Sequence, residues 1–275
     1  MNECGMFQKD VQSETVDSVP LNRVGLTGVQ FPVVIHRPQH DREVIVTGNF
    51  YVNLPSNQRG AHLSRLVEAI VHETTLPKET EGIEQLARDI AQDIRERSEY
   101  ATLAEVELEA TRNYEDYVYK LFGYGNSRGT MNVGVEVKGA TACPCAAEMC
   151  NGKTHNQRAR LRLEVNTKGD IPSELLVQLA AVSFSASSAM LLKRPDEKKV
   201  VDNMHMNTKF VEDVVRDCAE RVSASFEKPF WCKIQCWSEE SIHPFDAYAK
   251  FEGWIEKQNE QGTGWHPPWD PDVEY

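Results

Sequence analysis

The period of the hydrophobic pattern changes along the chain, and these changes constrain the fold more than any other feature. In the first half, apolar residues alternate with polar ones in four segments, which predicts strands. Between the second and third of them the apolar residues recur every three to four positions, which predicts two amphipathic helices. The predicted strands are 24–35, 43–54, 101–110 and 131–137, and the predicted helices are 63–71 and 82–97.

The second half repeats this order of elements without repeating the residues. A strand over 160–165 is followed by a helix over 173–192 and by a second helix over 211–222. Two further strands, 230–237 and 247–255, complete the predicted order. Strands and helices that alternate in this way predict an α+β fold built from two similar halves. Two glycine- or proline-marked segments, 114–130 and 193–197, are predicted to be loops.

The composition excludes several classes of protein. The chain of 275 residues has a formal net charge of -12, which argues against a broad nucleic-acid-binding face. An anionic small substrate would need a local basic pocket. The segment 1–17 lacks the apolar core of a signal peptide, and no apolar run reaches the roughly 20 residues of a membrane span. Seven cysteines without export signals favour a reducing, cytoplasmic location and no membrane partner.

Three of the seven cysteines lie within one short stretch, Cys143-Pro144-Cys145 and Cys150, and His155 follows five residues later. Pro144 fixes its own backbone and biases Cys143 towards an extended conformation, which predicts a stiff turn. Thiolate and imidazole are ligands that suit zinc and ferrous iron. A lone Cys-x-Cys lacks the paired spacing of a structural zinc site, so a turn with small buried cysteines is an equally open interpretation.

Four other places carry residues capable of chemistry, and each also has a plain structural interpretation. His62 and Arg65 lie at a helix start that is able to receive phosphate, or they are ordinary capping and solvated residues. Glu197 follows a proline and is a ligand, a base or an exposed acid of a turn. Glu212 lies beside an apolar helix face and either grips a purine edge or complements the helix dipole. His243 lies in the last strand connection, facing a pocket or solvent.

Several stretches, taken together and in order, resemble one known family. They are RVGLTGVQFPV, FYVNLPSNQRGAHLSR, TACPCAAE, THNQR, LLKRPDEKKV, FVEDVVRD and ESIHPFDAYA, and they run from about Arg23 to Phe251. The chain resembles the type IB GTP cyclohydrolases, a metal-dependent bacterial and archaeal family that opens the imidazole ring of GTP. Two positions depart from the family pattern, because Phe245 and Thr208 stand where members often have histidine and proline.

The resemblance implies a tunnelling fold, with two tandem ββααββ modules whose antiparallel sheets carry helices on one face. The implied organisation is a flexible lead over 1–20, a first module over 21–140, a second module with the metal motif over 141–256, and a tail over 257–275. The resemblance further implies a homotetramer with its active sites at subunit interfaces.

The resemblance also implies a set of site residues. The implied ligands of one divalent metal per active site, Fe²⁺, Zn²⁺ or Mn²⁺, are Cys143, His155, Glu197 and His243. Cys143, His155 and His243 are the implied catalytic residues. Glu212 is implied to bind the guanine edge, and His62 and Arg65 are implied to lie near the substrate.

The implied activity is hydrolysis of the imidazole ring of GTP. Formate is released, and a 7,8-dihydroneopterin phosphate forms, as a triphosphate or a cyclic phosphate, at the first step of folate or methanopterin biosynthesis. Two alternatives stay open. One is a related tunnelling-fold enzyme on another purine or pterin, with a nucleophilic cysteine and no metal. The other is a non-catalytic protein that binds metal or pterin.

Overall fold

The computed structural model describes residues 10–35, 42–75, 82–168, 171–226, 230–255 and 265–266. Its strands are β1 (Leu21–Ile35), β2 (Arg42–Leu54), β3 (Ala104–Tyr114), β4 (Tyr117–Asn126), β5 (Met131–Ala142), β6 (Asn156–Asn166), β7 (Ala186–Ser187), β8 (Phe230–Glu239), β9 (Asp246–Ile255) and β10 (Trp265–His266). Its helices are α1 (Leu63–Thr75), α2 (Ile83–Arg97), α3 (Pro144–Met149), α4 (Ser173–Ala181), α5 (Arg194–Met206) and α6 (Val211–Ser225). The predicted α+β class is confirmed.

The chain divides into two compact units, and strands β3 and β4 contribute to both. The first unit comprises Met1–Glu109 and Gly123–Met131, and the second comprises Ala110–Phe122 and Asn132–Tyr275. Strands follow the order β1-β2-β3-β4 in the first unit and β3-β4-β5-β6-β8-β9-β10 in the second, where β7 pairs with β5. The β1/β2, β2/β3, β5/β6, β6/β8 and β8/β9 pairs are all antiparallel.

The core of the first unit lies between its strands and helices α1 and α2. Strand β3 alternates buried and half-buried residues from Ala104 to Ala110, so it presents one face to the core. Helix α2 buries Leu86, Ile90 and Ile94, which share one face at helical spacing. Each of these apolar side chains stabilises the unit by about 1.5–3 kcal/mol relative to full exposure.

The core of the second unit follows the same rule. Strand β6 buries every second residue from Gln157 to Val165, and helices α4 and α6 pack against the strands of this unit. Helix α6 buries Val214, Cys218 and Val222 on one face. Alternate positions of the strands thereby face the core. Because a shift of one residue would expose these positions, the ends of β5, β6 and β8 are held in a fixed register.

Segment 114–130 was predicted to be a loop, and this is wrong, because it contains strand β4. Gly123 and Gly125 suggested a loop, but they lie where helix α2 comes close. A Cβ atom built on Gly125 would lie 2.2 Å from the backbone nitrogen of Arg88. Glycine in this strand therefore permits close backbone contact, rather than breaking the strand.

The predicted loop over 193–197 and the predicted long helix over 173–192 are also wrong in part. Helix α4 ends at Ala181, and helix α5 begins at Arg194 with Pro195 in its first turn. Proline is favoured at that position because the missing N–H has no partner inside a helix in any case. No residue of α5 is buried, so its sequence carries no apolar stripe to predict it.

The predicted lead and tail are only partly described. Residues 12–18 run beside 56–60, with Thr15 bridged to Gln58. The tail over 257–275 lies outside the described residues except for β10, which pairs with β9. Within the part of the chain that is described, no helix is long and apolar enough to cross a membrane.

Candidate functional site

The cysteine stretch and His155 lie at one end of the β5/β6 ladder. The last paired residues of these strands are Ala142 and Asn156. One position further, the Cys143 N–H donates to the carbonyl of His155 at 3.2 Å. The thiol-bearing and imidazole-bearing residues are thus backbone neighbours across an antiparallel pair, a position from which side chains contact each other.

A short helix makes the connection between these two residues. Cys143 is the residue that precedes the helix, with an extended backbone, and Pro144 opens α3. Asn151 and Gly152 then adopt left-handed conformations with φ of 52° and 85°, and the Gly152 N–H donates to Ala147 at 2.8 Å. This C-terminal cap turns the chain back towards β6. The predicted stiff turn is therefore a helix of six residues.

Thr154 ties the two ends of this connection together. Its hydroxyl lies 2.6 Å from the Cys143 carbonyl, to which it donates, and 3.1 Å from the His155 carbonyl. Because one hydroxyl hydrogen serves both carbonyls, the backbones of the two candidate ligands are held by the same group.

Side chains from the β8–β9 connection reach His155. Its Nδ1 lies 3.1 Å from Gln157 Oε1, 3.4 Å from Ser241 Oγ and 3.9 Å from Glu240 Oε2. The Gln157 amide nitrogen donates to Glu240 Oε1 at 3.2 Å. Gln157 is 8% exposed, and the His155 and Glu240 side chains are 19% and 15% exposed. The imidazole is therefore held on its Nδ1 side by a largely enclosed polar cluster.

His243 lies on the same connection and is exposed. Its ring stacks on Phe245, with 5.1 Å between ring centroids and 5° between ring planes. The phenylalanine that departs from the family pattern is thus the stacking partner of the histidine. The residues of this connection that contact His155 are Glu240 and Ser241, and the His243 ring contacts Phe245.

Glu197 and Glu212 both lie in first turns of helices. Glu197 is exposed on α5, where its N–H donates to the Lys193 carbonyl at 2.9 Å. Glu212 lies beside the apolar face of α6, next to buried Val211, but it is exposed and not half-buried as a position beside that face would suggest. Both carboxylates are open to solvent, and both stand at the positive end of a helix dipole.

The comparisons with known proteins agree with the sequence resemblance. The family described as type I GTP cyclohydrolase FolE2 matches residues 8–249 of the chain. The chain belongs to this family.

Two curated relatives illustrate the match. The GTP cyclohydrolase FolE2 of Thermosipho melanesiensis is 35% identical over 251 residues, covering 88% of this chain and 96% of the relative. The GTP cyclohydrolase MptA of Methanosarcina barkeri is 35% identical over 305 residues, covering 91% of this chain and 95% of the relative. A solved uricase from Arthrobacter globiformis covers 93% of this chain at 9% identity, but its TM-score of 0.45 is too low to bear on the fold. The predicted membership in a family of GTP cyclohydrolase enzymes is confirmed.

Within the described residues, one group of three potential ligands lies close enough to hold a metal ion, and it is not the predicted one. His72, Glu73 and Asp93 offer ligand atoms that all lie within 4.8 Å of one another. The donor types are consistent with a metal-dependent enzyme. However, the Arg97 Nε lies 2.7 Å from Asp93 Oδ1, so a guanidinium already neutralises this carboxylate. The predicted ligands Cys143, His155, Glu197 and His243 form no such group among the described residues, and that set stays a prediction.

His62 and Arg65, predicted to lie near the substrate, contact other parts of the first unit. The His62 Nε2 lies 3.1 Å from Asp10 Oδ2, and Arg65 donates to the Arg97 carbonyl at 3.0 Å. The Asp10 pKa is lowered to about 2, first by the Ser13 hydroxyl and then by His62. The start of α1 thus faces an acidic residue of the N-terminal segment.

Sequence reasoning missed Gln157, Glu240 and Thr154 as members of the site. All three lie in or beside the motifs THNQR and ESIHPFDAYA, which carried the family resemblance. The role of Thr154 depends on how the β5–β6 connection folds back, and the roles of Gln157 and Glu240 depend on the β6/β8 register. A single sequence has no signal for that register.

Proposed function

We propose that this protein is a GTP cyclohydrolase, which hydrolyses the imidazole ring of GTP and forms a dihydroneopterin phosphate at the first step of pterin biosynthesis. The family match over 8–249 supports the substrate class. The observation that carries the proposal is the backbone hydrogen bond between Cys143 and His155, the two residues for which the resemblance implies a role as metal ligands.

The proposed site binds one divalent cation, Fe²⁺, Zn²⁺ or Mn²⁺. Its proposed ligands are Cys143, His155, Glu197 and His243. Of these four, His243 is the weakest candidate, because its ring already stacks on Phe245. The donor chemistry fits, since a half-buried thiol, an oriented imidazole and a solvent-exposed carboxylate are the ligand types of zinc and ferrous sites. When bound, such a cation supplies Lewis acidity for activating water.

The remaining groups of the site bind and orient the substrate in this proposal. The Glu212 carboxylate accepts the guanine N–H groups through charge-assisted hydrogen bonds, for which its exposure leaves it accessible. His62 and Arg65 are proposed to lie near the substrate. Hydrolysis of both bonds from C8 to the ring nitrogens releases that carbon as formate, and reclosure with the ribose carbons builds the pterin ring.

The finer features of the fold belong to the same proposal. Elements β1–β2–α1–α2–β3–β4 form one ββααββ module, and β5–β6–α4–α5–α6–β8–β9 form a second with an extra helix. The boundary predicted at 140/141 lies inside β5, and this order favours a division before β5. We further propose the tunnelling fold, a homotetramer with sites at subunit interfaces, and a cytoplasmic location where the thiols of the site stay reduced.

The test is an anaerobic assay of metal-free protein with GTP and each of the three cations in turn. We expect formate, pterin fluorescence and a product mass that distinguishes the triphosphate from the cyclic phosphate. Cys143→Ala should abolish turnover and stoichiometric metal binding. The matched control is Cys145→Ala, because Cys145 is exposed and two residues away. Equal activity of the two variants would overturn the proposed site.

A further inference from the structure

We infer that Glu240 and Gln157 are positioning residues that hold His155 in one tautomer, with the proton on Nδ1 and the lone pair of Nε2 available to a cation. This inference rests on the proposed function, because the tautomer has a role only if Nε2 of His155 binds a metal ion. It adds two residues that the family resemblance did not assign to the site.

The donors and acceptors of the cluster determine the direction of each hydrogen bond. A carboxylate has only acceptors, so the group of Gln157 that lies 3.2 Å from Glu240 Oε1 is its NH₂ group. The amide oxygen then faces His155, where it lies 3.1 Å from Nδ1. An amide oxygen can only accept, and Nδ1 therefore carries the proton.

The surroundings reinforce this assignment. Glu240 Oε2 lies 3.9 Å from the same Nδ1, and a negative oxygen at this distance favours a proton there. The Ser241 hydroxyl lies 3.4 Å from Nδ1. Because a hydroxyl is able to donate or accept, it is compatible with a proton on Nδ1. Reversing the amide of buried Gln157 would set its oxygen against the Glu240 carboxylate, so that two acceptors would face each other without a hydrogen between them.

Strand register brings the amide and the carboxylate together, because Ala159 pairs with Ser238 in the β6/β8 ladder and Gln157 and Glu240 lie two residues beyond that pair. Gln157 pairs with Thr141 in the β5/β6 ladder, and the Thr141 hydroxyl lies 2.7 Å from the buried Ser238 hydroxyl on β8. Ser238 is two residues before Glu240. The strand register thus places the three groups next to one another, and the hydrogen bonds make them a relay, in which the carboxylate orients the amide and the amide orients the imidazole.

Such a relay acts on a cation through His155. Metal-binding histidines usually donate their second ring N–H to an oxygen, and losing that acceptor costs about 10–100-fold in metal affinity. The amide of Gln157 is the nearest oxygen acceptor to Nδ1, and the carboxylate of Glu240 prevents the amide from turning over. Replacing Glu240 by glutamine removes this restraint with little change in size.

The first experiment uses metal-free protein labelled with ¹⁵N-histidine. The His155 signals, assigned by their loss in His155→Gln, should be those of the Nδ1–H tautomer in the wild type and of a mixture in Glu240→Gln. The matched control is Glu239→Gln, which makes the same change of charge at an exposed neighbour and should keep the wild-type tautomer. A wild-type spectrum dominated by the Nε2–H tautomer would overturn the inference, as would an unchanged tautomer in Glu240→Gln.

The second experiment measures Zn²⁺ affinity by competition with a chelator. Glu240→Gln should bind about 10–100-fold more weakly than Glu239→Gln, while their thermal unfolding stays alike. Cys143→Ala distinguishes a failure of the proposed metal site from a failure of the relay. If Cys143→Ala keeps full affinity, the proposed metal site fails; if it loses the metal while Glu240→Gln matches its control, the relay alone fails.

Discussion

Thr154 offers the sharpest test of how the candidate site is held together. Thr154→Val replaces the hydroxyl with a methyl group of nearly the same size, so the bonds to the carbonyls of Cys143 and His155 are lost without a cavity. A net hydrogen bond contributes about 0.5–1.5 kcal/mol. Since Thr154 is half-buried and water can replace part of the loss, we expect a destabilisation of about 1 kcal/mol. For a chain of this size the melting temperature would fall by about 2–4 °C.

The assay is thermal and urea unfolding of Thr154→Val beside Thr154→Ser, which keeps the hydroxyl and loses only the methyl group. Thr154→Ser should keep the hydrogen bonds and most of the stability. If the hydroxyl also sets the separation of the two proposed ligands, Zn²⁺ affinity should fall in the valine variant and stay near wild type in the serine variant. Two variants that are equally destabilised would refute the reasoning, since the methyl group would then be the part that matters.

Three further predictions follow from the second unit. Gly139→Ala should destabilise the protein by about 1–3 kcal/mol in urea unfolding, because its Cβ would lie 2.3 Å from the buried Phe184 ring; adding Phe184→Leu should recover part of the loss, and additive effects would contradict this. Iodoacetamide should modify exposed Cys145 and spare Cys218 in the native protein, as read by mass spectrometry; rapid labelling of Cys218 would show that its burial is wrong. Burial raises the pKa of Cys218 and of Cys236 to about 12. Between about pH 9 and 12 these thiols ionise in the unfolded chain but not in the native protein, so the free energy of unfolding should fall by at most about 1.4 kcal/mol per pH unit for each thiol. A free energy of unfolding that stays constant over this range in urea unfolding would contradict the prediction.

The sequence predicted the elements whose buried positions carry apolar side chains at a regular period, and missed two elements in which that pattern is interrupted or absent. Helix α2 and strand β6 were found because burial imposes their periods of 3.6 and 2 residues. Strand β4 was missed because two of its residues are the glycines that admit α2. Helix α5 was missed because it buries no residue, and therefore needs no apolar stripe.

The contacts of the candidate site also differ in how far the sequence predicts them. The proximity of Cys143 and His155 could be expected from a hairpin between two predicted strands. Predicting that they lie directly opposite each other would have required the exact residues at which the strands end. The approach of Glu240 to His155 could not, because it depends on β8 lying beside β6 after three intervening helices. Contacts of that kind are set by tertiary packing and leave no local pattern.

The way the β5/β6 ladder closes at Cys143 and His155 also limits how this region can change in length. Side chains alternate between the two faces of a strand, so a shift of one residue moves His155 to the face away from the thiol. The segment 144–154 can therefore change in length only if the β5/β6 register is kept. A change of one residue that instead shifted β6 would turn its buried residues, from Gln157 to Val165, out of the core and would also separate Cys143 from His155.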